Sequence, residues 1–79
     1  MSELSQKIFS IAGQVFSVPT TDLSPDMAVG DIPQWDSFAQ LNLLMAVEQE
    51  FEIAFSVDDT LEMETLEDIA ETTERYLNG

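Results

Sequence analysis

The sequence contains no cysteine and no histidine. Without thiols it has neither a disulfide nor a thiolate metal site. Without imidazole it lacks the commonest general base. Positive charge is scarce as well: Lys7 and Arg75 stand against sixteen Asp and Glu, a net charge of −14 on 79 residues. That balance argues against nucleic acid as a ligand, since phosphates are neutralised by Lys and Arg, and it argues equally against anionic membrane surfaces. No run of about 18 apolar residues is present, so no segment reads as inserting into a membrane. The opening stretch, Met1-Ser2-Glu3-Leu4-Ser5-Gln6-Lys7, has no basic patch followed by an apolar core and does not read as a signal peptide. There is no Asp-x-Asp-x-Asp-Gly calcium loop, and no metal site is predicted. Together these absences lead to the expectation of a cytoplasmic protein.

What is present fits a single domain over residues 1–79. The apolar content is 44%, that of a globular chain. At this length folding buries only about 60–65% of the unfolded surface, so the core is small. The net charge exceeds the roughly 2–8 that solubility asks of a small domain. It predicts partners with basic patches, found through an attraction that salt screens beyond about 10 Å at 0.1 M.

Apolar periodicity predicts an all-α chain. A first helix over Glu3–Phe16 carries Leu4, Ile8, Ile11, Ala12 and Val15 on one face. Ser2 is placed to cap it, and Val18-Pro19 to end it. A long connection over about 19–36 follows, holding all three prolines, with Leu23, Met27, Val29 and Ile32 expected to pin it to the core. Loops of this length are uncommon in compact domains and usually functional. Trp35 fits either a pinned or a partly exposed position.

The second helix, about 37–50, carries two apolar lines. One runs through Leu44, Val47 and Phe51 with Leu43 beside it, the other through Phe38, Leu41 and Met45. Such a helix is either buried on most sides or shows one line to a partner, and methionine suits an adaptable contact surface. Residues 52–57 alternate like a strand but have none to pair with, so an extended connection is expected, with Ile53 and Phe55 buried. Asp58-Asp59 are expected to cap a short helical turn over 60–63. Thr65-Leu66-Glu67-Asp68 resembles a capping box. It opens a last helix with Leu66, Ile69, Ala70, Thr73 and Leu77 on one face, closed by Gly79. The expected fold is a small antiparallel bundle of three main helices plus a short one, with a long first loop.

The chemistry concentrates at Asp36-Ser37. On spacing alone this reads first as a plain N-cap pair. A helix start also favours anions, and Asp36 offers an oxygen that can help hold magnesium in a transferring enzyme's site. The pair is therefore a reasonable acceptor for a phosphate-linked group. No catalytic constellation is visible, so no enzyme is expected.

Asp31-Ile32-Pro33-Gln34-Trp35-Asp36-Ser37-Phe38, then Leu41, Leu43 and Met45-Ala46-Val47-Glu48-Gln49-Glu50-Phe51, then Ile53, resembles the acyl carrier protein family. The resemblance extends over nearly the whole chain. It implies that Ser37 receives 4′-phosphopantetheine from coenzyme A through a magnesium-dependent phosphopantetheinyl transferase, with Asp36 beside it. It implies that the arm's thiol carries acyl or aminoacyl groups, delivered between acyl-activating and acyl-transferring enzymes that recognise the second helix. Trp35, Phe38, Leu41, Met45 and Glu48 are the partner contacts expected on that reading, and the chain is expected to be a monomer. Phe38 stands where leucine is usual. Ala39, Gln40 and Asn42 stand where fatty-acid carriers often place acids. These departures suggest a specialised lipid, polysaccharide, polyketide or peptide pathway. An unmodified binding module of the same fold is the competing reading.

So many like charges on one small domain repel one another. Moderate salt or millimolar magnesium is therefore expected to raise the melting temperature followed by circular dichroism, and an unchanged midpoint would count against that repulsion.

Overall fold

A computed structural model describes residues 3–78. It is all-helical in its regular elements: α1 (Glu3–Phe16), α2 (Ser37–Phe51), α3 (Val57–Glu62) and α4 (Leu66–Asn78), with a short 3-10 turn at Thr20–Asp22. The expected caps at Ser2 and Gly79 lie outside the described residues. Among the described residues, no helix is long and apolar enough to cross a membrane.

α1 buries Ile8, Phe9, Ala12, Gly13 and Phe16, while Leu4, Ile11 and Val15 pack at the margin. The face is thus turned slightly from the expected one, because the aromatics Phe9 and Phe16 carry the most area and take the interior. The helix has the expected bounds, Glu3–Phe16, but its stop is made one residue ahead of Val18-Pro19. Ser17 adopts a left-handed conformation (φ 59°), and Val18 N–H returns to the Gly13 C=O at 3.0 Å, the bond that closes a helix C-terminus. A side chain at Gly13 would meet the Val18 carbonyl oxygen at 3.0 Å and the Thr20 methyl at 3.2 Å, so the returning chain would have to give by a few tenths of an ångström.

The connection to α2 is long but not loose. Ser24 Oγ donates to Asp26 Oδ1 at 2.7 Å, Ala28 N–H to Asp31 Oδ2 at 2.8 Å, and Gly30 N–H to the Trp35 C=O at 2.8 Å. Leu23 is buried, and Met27 and Ile32 pack against the core. Val29 corrects the expectation: it is exposed, lying beside Gly30, whose positive φ of 94° turns the chain outward.

The start of α4 is satisfied from two sources. Thr65 and Asp68 form the predicted box, with Asp68 N–H donating to Thr65 Oγ1 at 3.0 Å and Thr65 N–H to Asp68 Oδ2 at 3.2 Å. The connection supplies the rest: Leu66 N–H donates to the Met27 C=O at 3.1 Å and Glu67 N–H to the Pro25 C=O at 2.9 Å. Three of the orphan donors of a helix start are thereby paired.

α1 runs antiparallel to α2. Lys7 Nζ reaches Glu50 at 3.4 Å at one end, and the Phe16 and Trp35 rings meet at the other. α4 starts near the first turn of α2 and ends beside α3, so it runs with α2 and against α1. α1 packs on both. α2 ends, like α1, on a left-handed residue without being glycine: Glu52 at φ 56°, ψ 47°.

α3 begins earlier than expected. Ser56, not the Asp58-Asp59 pair, is its cap, with Asp59 N–H donating to Ser56 Oγ at 3.2 Å. A hydroxyl three residues ahead meets the amide better than an acid already inside the turn. Ile53 and Phe55 lie half-buried in the extended segment before it. Tyr76 holds α3 to α4: its hydroxyl donates to Asp59 Oδ2 at 2.6 Å and accepts the Ser56 N–H at 2.9 Å.

That Tyr76 hydroxyl is the main reason the Asp59 carboxyl titrates below its ordinary value of 3.8, with Arg75 and Ser56 adding to it and partial burial opposing. A depressed folded-state pKa gives stability that is present above the unfolded value and lost as pH falls through the folded one. In a carbon-detected NMR titration, Asp59 is expected below 3.8 in the wild type and higher in Tyr76→Phe. Equal midpoints in the two proteins would remove Tyr76 as the cause.

Candidate functional site

The site is built where the long connection enters α2. Asp36 is the N-cap, in extended geometry (φ −105°, ψ −173°), and its Oδ1 accepts the Ala39 N–H at 2.8 Å. The helical ladder begins with Gln40 N–H to the Asp36 C=O at 2.9 Å. The Ser37 and Phe38 N–H groups therefore have no partner within the helix and lie at its positive end. Ser37 is the first residue of α2 and is exposed. Its hydroxyl is accessible at an anion-favouring helix start, beside a carboxylate. These residues fit a phosphate-linked group on the serine without rearrangement of the fold.

The residue before the pair corrects the sequence reading. Trp35 was expected among the partner contacts, yet its side chain is completely buried (0% exposed). Its ring lies 5.0 Å from that of Phe16, tilted by 31°, and its indole N–H donates to Gln40 Oε1 at 2.8 Å. Gln40 Nε2 in turn donates to the Met63 C=O at 3.1 Å. A tryptophan takes such a place because the ring gains from full burial while its N–H finds a partner. Trp35 and Gln40 occupy the positions just before the cap and fourth in the helix, where an apolar pair often fixes the entry of the chain. That offset was the sequence signal for Gln40, which sequence reasoning passed over because the pair is joined by a hydrogen bond.

The two apolar lines of α2 separate by exposure. Leu43, Leu44 and Val47 are buried, and Phe51 packs against the core. Phe38, Leu41 and Met45 are 73%, 56% and 50% exposed. The outward line begins next to Ser37 and ends at a shallow cleft lined by Met45, Glu48, Gln49, Ile53 and Ala54. Glu48 is half-buried, and its Oε2 accepts the Phe55 N–H at 2.8 Å, so one of its oxygens serves the fold. Among the described residues, no group of acids is placed to hold a metal ion.

The fold is that of the acyl carrier proteins. A solution NMR structure of the holo acyl carrier protein from Geobacter metallireducens is similar with a TM-score of 0.86 at 23% identity, over 98% of this chain and 88% of that one. Residues 6–73 match the family described as the phosphopantetheine attachment site, and the chain belongs to that family. It is a carrier family rather than a catalytic one, and a covalently attached phosphopantetheine is the group that defines it. Comparison with curated protein sequences gives no match.

Asp36 holds the serine's helix start in place. Asp36→Ala is expected to cost about 0.5–2 kcal/mol in urea unfolding. A loss near zero would mean that the loop and Trp35 fix the turn without the cap.

Proposed function

We propose that Ser37 is the attachment residue and that this protein carries acyl groups to partner enzymes. The single observation behind this reading is the exposed Ser37 hydroxyl at the first position of α2, directly after its Asp36 cap, inside the stretch that matches the family. When bound, the 4′-phosphopantetheine supplies a flexible arm ending in a thiol, on which an acyl group rides as a thioester.

The chain's own part is presentation. Trp35 anchors the turn, Asp36 caps it and offers a carboxylate toward the transferase's magnesium, and Ser37 projects the accepting oxygen. The chain has no histidine or cysteine, so the proton of that hydroxyl leaves to a base of the phosphopantetheinyl transferase. Phe38, Leu41 and Met45 form the apolar contact line for that enzyme and for acyl-activating and acyl-transferring enzymes, with the second oxygen of Glu48 at its far end. Basic patches on those partners answer the charge of −14. The same repulsion supports a monomer, and a cytoplasmic setting suits partners of this kind.

The cargo route is a specialised one. At the positions after Ser37 the chain has Ala39, Gln40 and Asn42 rather than acids, and Gln40 is committed to Trp35 and Met63. A partner that reads acids there finds none, which favours a dedicated lipid, polysaccharide, polyketide or peptide-type pathway over housekeeping fatty-acid synthesis.

Intact mass after incubation with coenzyme A, magnesium and a broad-specificity phosphopantetheinyl transferase tests the assignment. The wild type is expected to gain one phosphopantetheine and Ser37→Ala none. A gain in the Ser37→Ala protein would move the site, and no gain in either would favour an unmodified binding module.

A further inference from the structure

Asp36, Ser37 and Phe38 are all exposed, so the burial that fixes the accepting hydroxyl lies outside this triplet. Ahead of it, Trp35 is completely buried. The backbone of Trp35 is held as well: its N–H donates to the Ile32 C=O at 3.1 Å, and its C=O accepts the Gly30 N–H at 2.8 Å. Behind the triplet, Ala39 packs against the core and Gln40 lies half-buried. The indole N–H donates to Gln40 Oε1 at 2.8 Å. The two flanks are therefore bonded to each other across the serine.

A polar side chain three residues after Ser37 could serve as a contact for an enzyme or as a brace for the turn. The bonds of Gln40 decide between the two. Oε1 is taken by the indole, and Nε2 donates to the Met63 C=O at 3.1 Å. Both ends of the amide are thus committed inside the fold. Each end also fixes the other. Turning the amide over would set Nε2 against the indole donor and Oε1 against the Met63 carbonyl oxygen, donor on donor and acceptor on acceptor.

We propose that Gln40 is a positioning residue for the modification of Ser37, acting through the Trp35 indole. The proposal rests on the Ser37 assignment above. In that transfer the Ser37 Oγ bonds to the phosphorus that carries the pantetheine arm, and the pyrophosphate P–O bond of coenzyme A breaks. Adenosine 3′,5′-bisphosphate leaves, and the hydroxyl proton goes to a base of the transferase. The attacking and leaving oxygens must stand roughly in line. A serine places its Oγ by a single side-chain torsion, so the aim of the hydroxyl follows the aim of the first turn of α2. The Trp35–Gln40 bond sets that aim from both sides. Phe38, Leu41 and Met45 face outward without taking part in it, so the bond acts on the transfer step rather than on docking.

The test is single-turnover transfer to the full chain by a broad-specificity transferase in excess, with coenzyme A and magnesium saturating. The plateau rate reads the transfer step, and the half-saturating transferase concentration reads docking. Measurements are made at a temperature where circular dichroism shows each variant folded. Gln40→Met keeps the length of the side chain and loses both bonds. It is expected to lower the plateau rate about tenfold, within what misplacing a reacting atom costs, and to leave the half-saturating concentration within about twofold. Trp35→Phe is expected to slow transfer similarly, and the double variant to be no slower than the slower single, because both remove one interaction. Ile8→Val weakens the core away from this bond and is expected to transfer at the wild-type rate.

A plateau rate within about twofold of wild type in Gln40→Met overturns the proposal while leaving the Ser37 assignment intact, since the wild type is still modified. Losses that multiply in the double variant overturn the route through the indole. A change confined to the half-saturating concentration would make Gln40 a docking contact, and a slow Ile8→Val would make the rate a matter of stability alone; either overturns it. An unmodified wild type overturns both the proposal and the Ser37 assignment.

Discussion

The position of Ser37 depends on one buried polar contact. The Trp35 indole is enclosed on all sides, and a buried N–H left unpaired costs about 1–3 kcal/mol. Gln40 meets that requirement at 2.8 Å and passes its own amide to the Met63 carbonyl at 3.1 Å. One side chain therefore joins the end of the long connection, the first turns of α2 and the segment between α3 and α4. Phe16, tilted against the indole, adds the end of α1. Four parts of the molecule converge on Trp35 and Gln40, which flank Ser37, and so an exposed hydroxyl on a small domain can still be held in a definite direction.

Much of this was legible in the sequence, and the parts that were not share a cause. Regular periodicity gave α1 its bounds and the two lines of α2, because a 3.6-residue repeat needs only apolar positions to be seen. The Thr65–Asp68 box was readable because its bonds are local. The stops at Ser17 and Glu52 were not, since left-handed caps are usually glycine or asparagine and neither residue announces one. The start of α3 was misplaced because Ser56 and the acids after it are all capping residues, and only the geometry chooses among them. The residues leave Trp35 open between a pinned and a partly exposed position, and only the family resemblance makes it a contact, because a tryptophan beside an exposed serine gives no sign of which way it turns. That sign came from Phe16 and Gln40, the first of them distant in sequence.

The same distinction holds for the site. Asp36-Ser37 and the outward line of Phe38, Leu41 and Met45 follow from local chemistry and helical spacing. The exposure of Val57 and Leu61 on α3 does not stand out in the sequence, where Val57 looks like the end of an alternating segment and Leu61 lies within a short expected turn. The structure instead sends Met63 inward and leaves Leu61 exposed.

The capping of α4 by the long connection bears on when the serine becomes usable. Pro25 lends its carbonyl to Glu67 and Met27 to Leu66, and Gln40 waits for Met63, so the turn ahead of Ser37 is braced by residues translated well after it. Domains generally fold as units during synthesis. A ribosome-bound chain ending before α4 would expose the serine on an unbraced helix start. The surroundings of Ser37 are therefore complete only when the last helix has been made and has docked on the long connection.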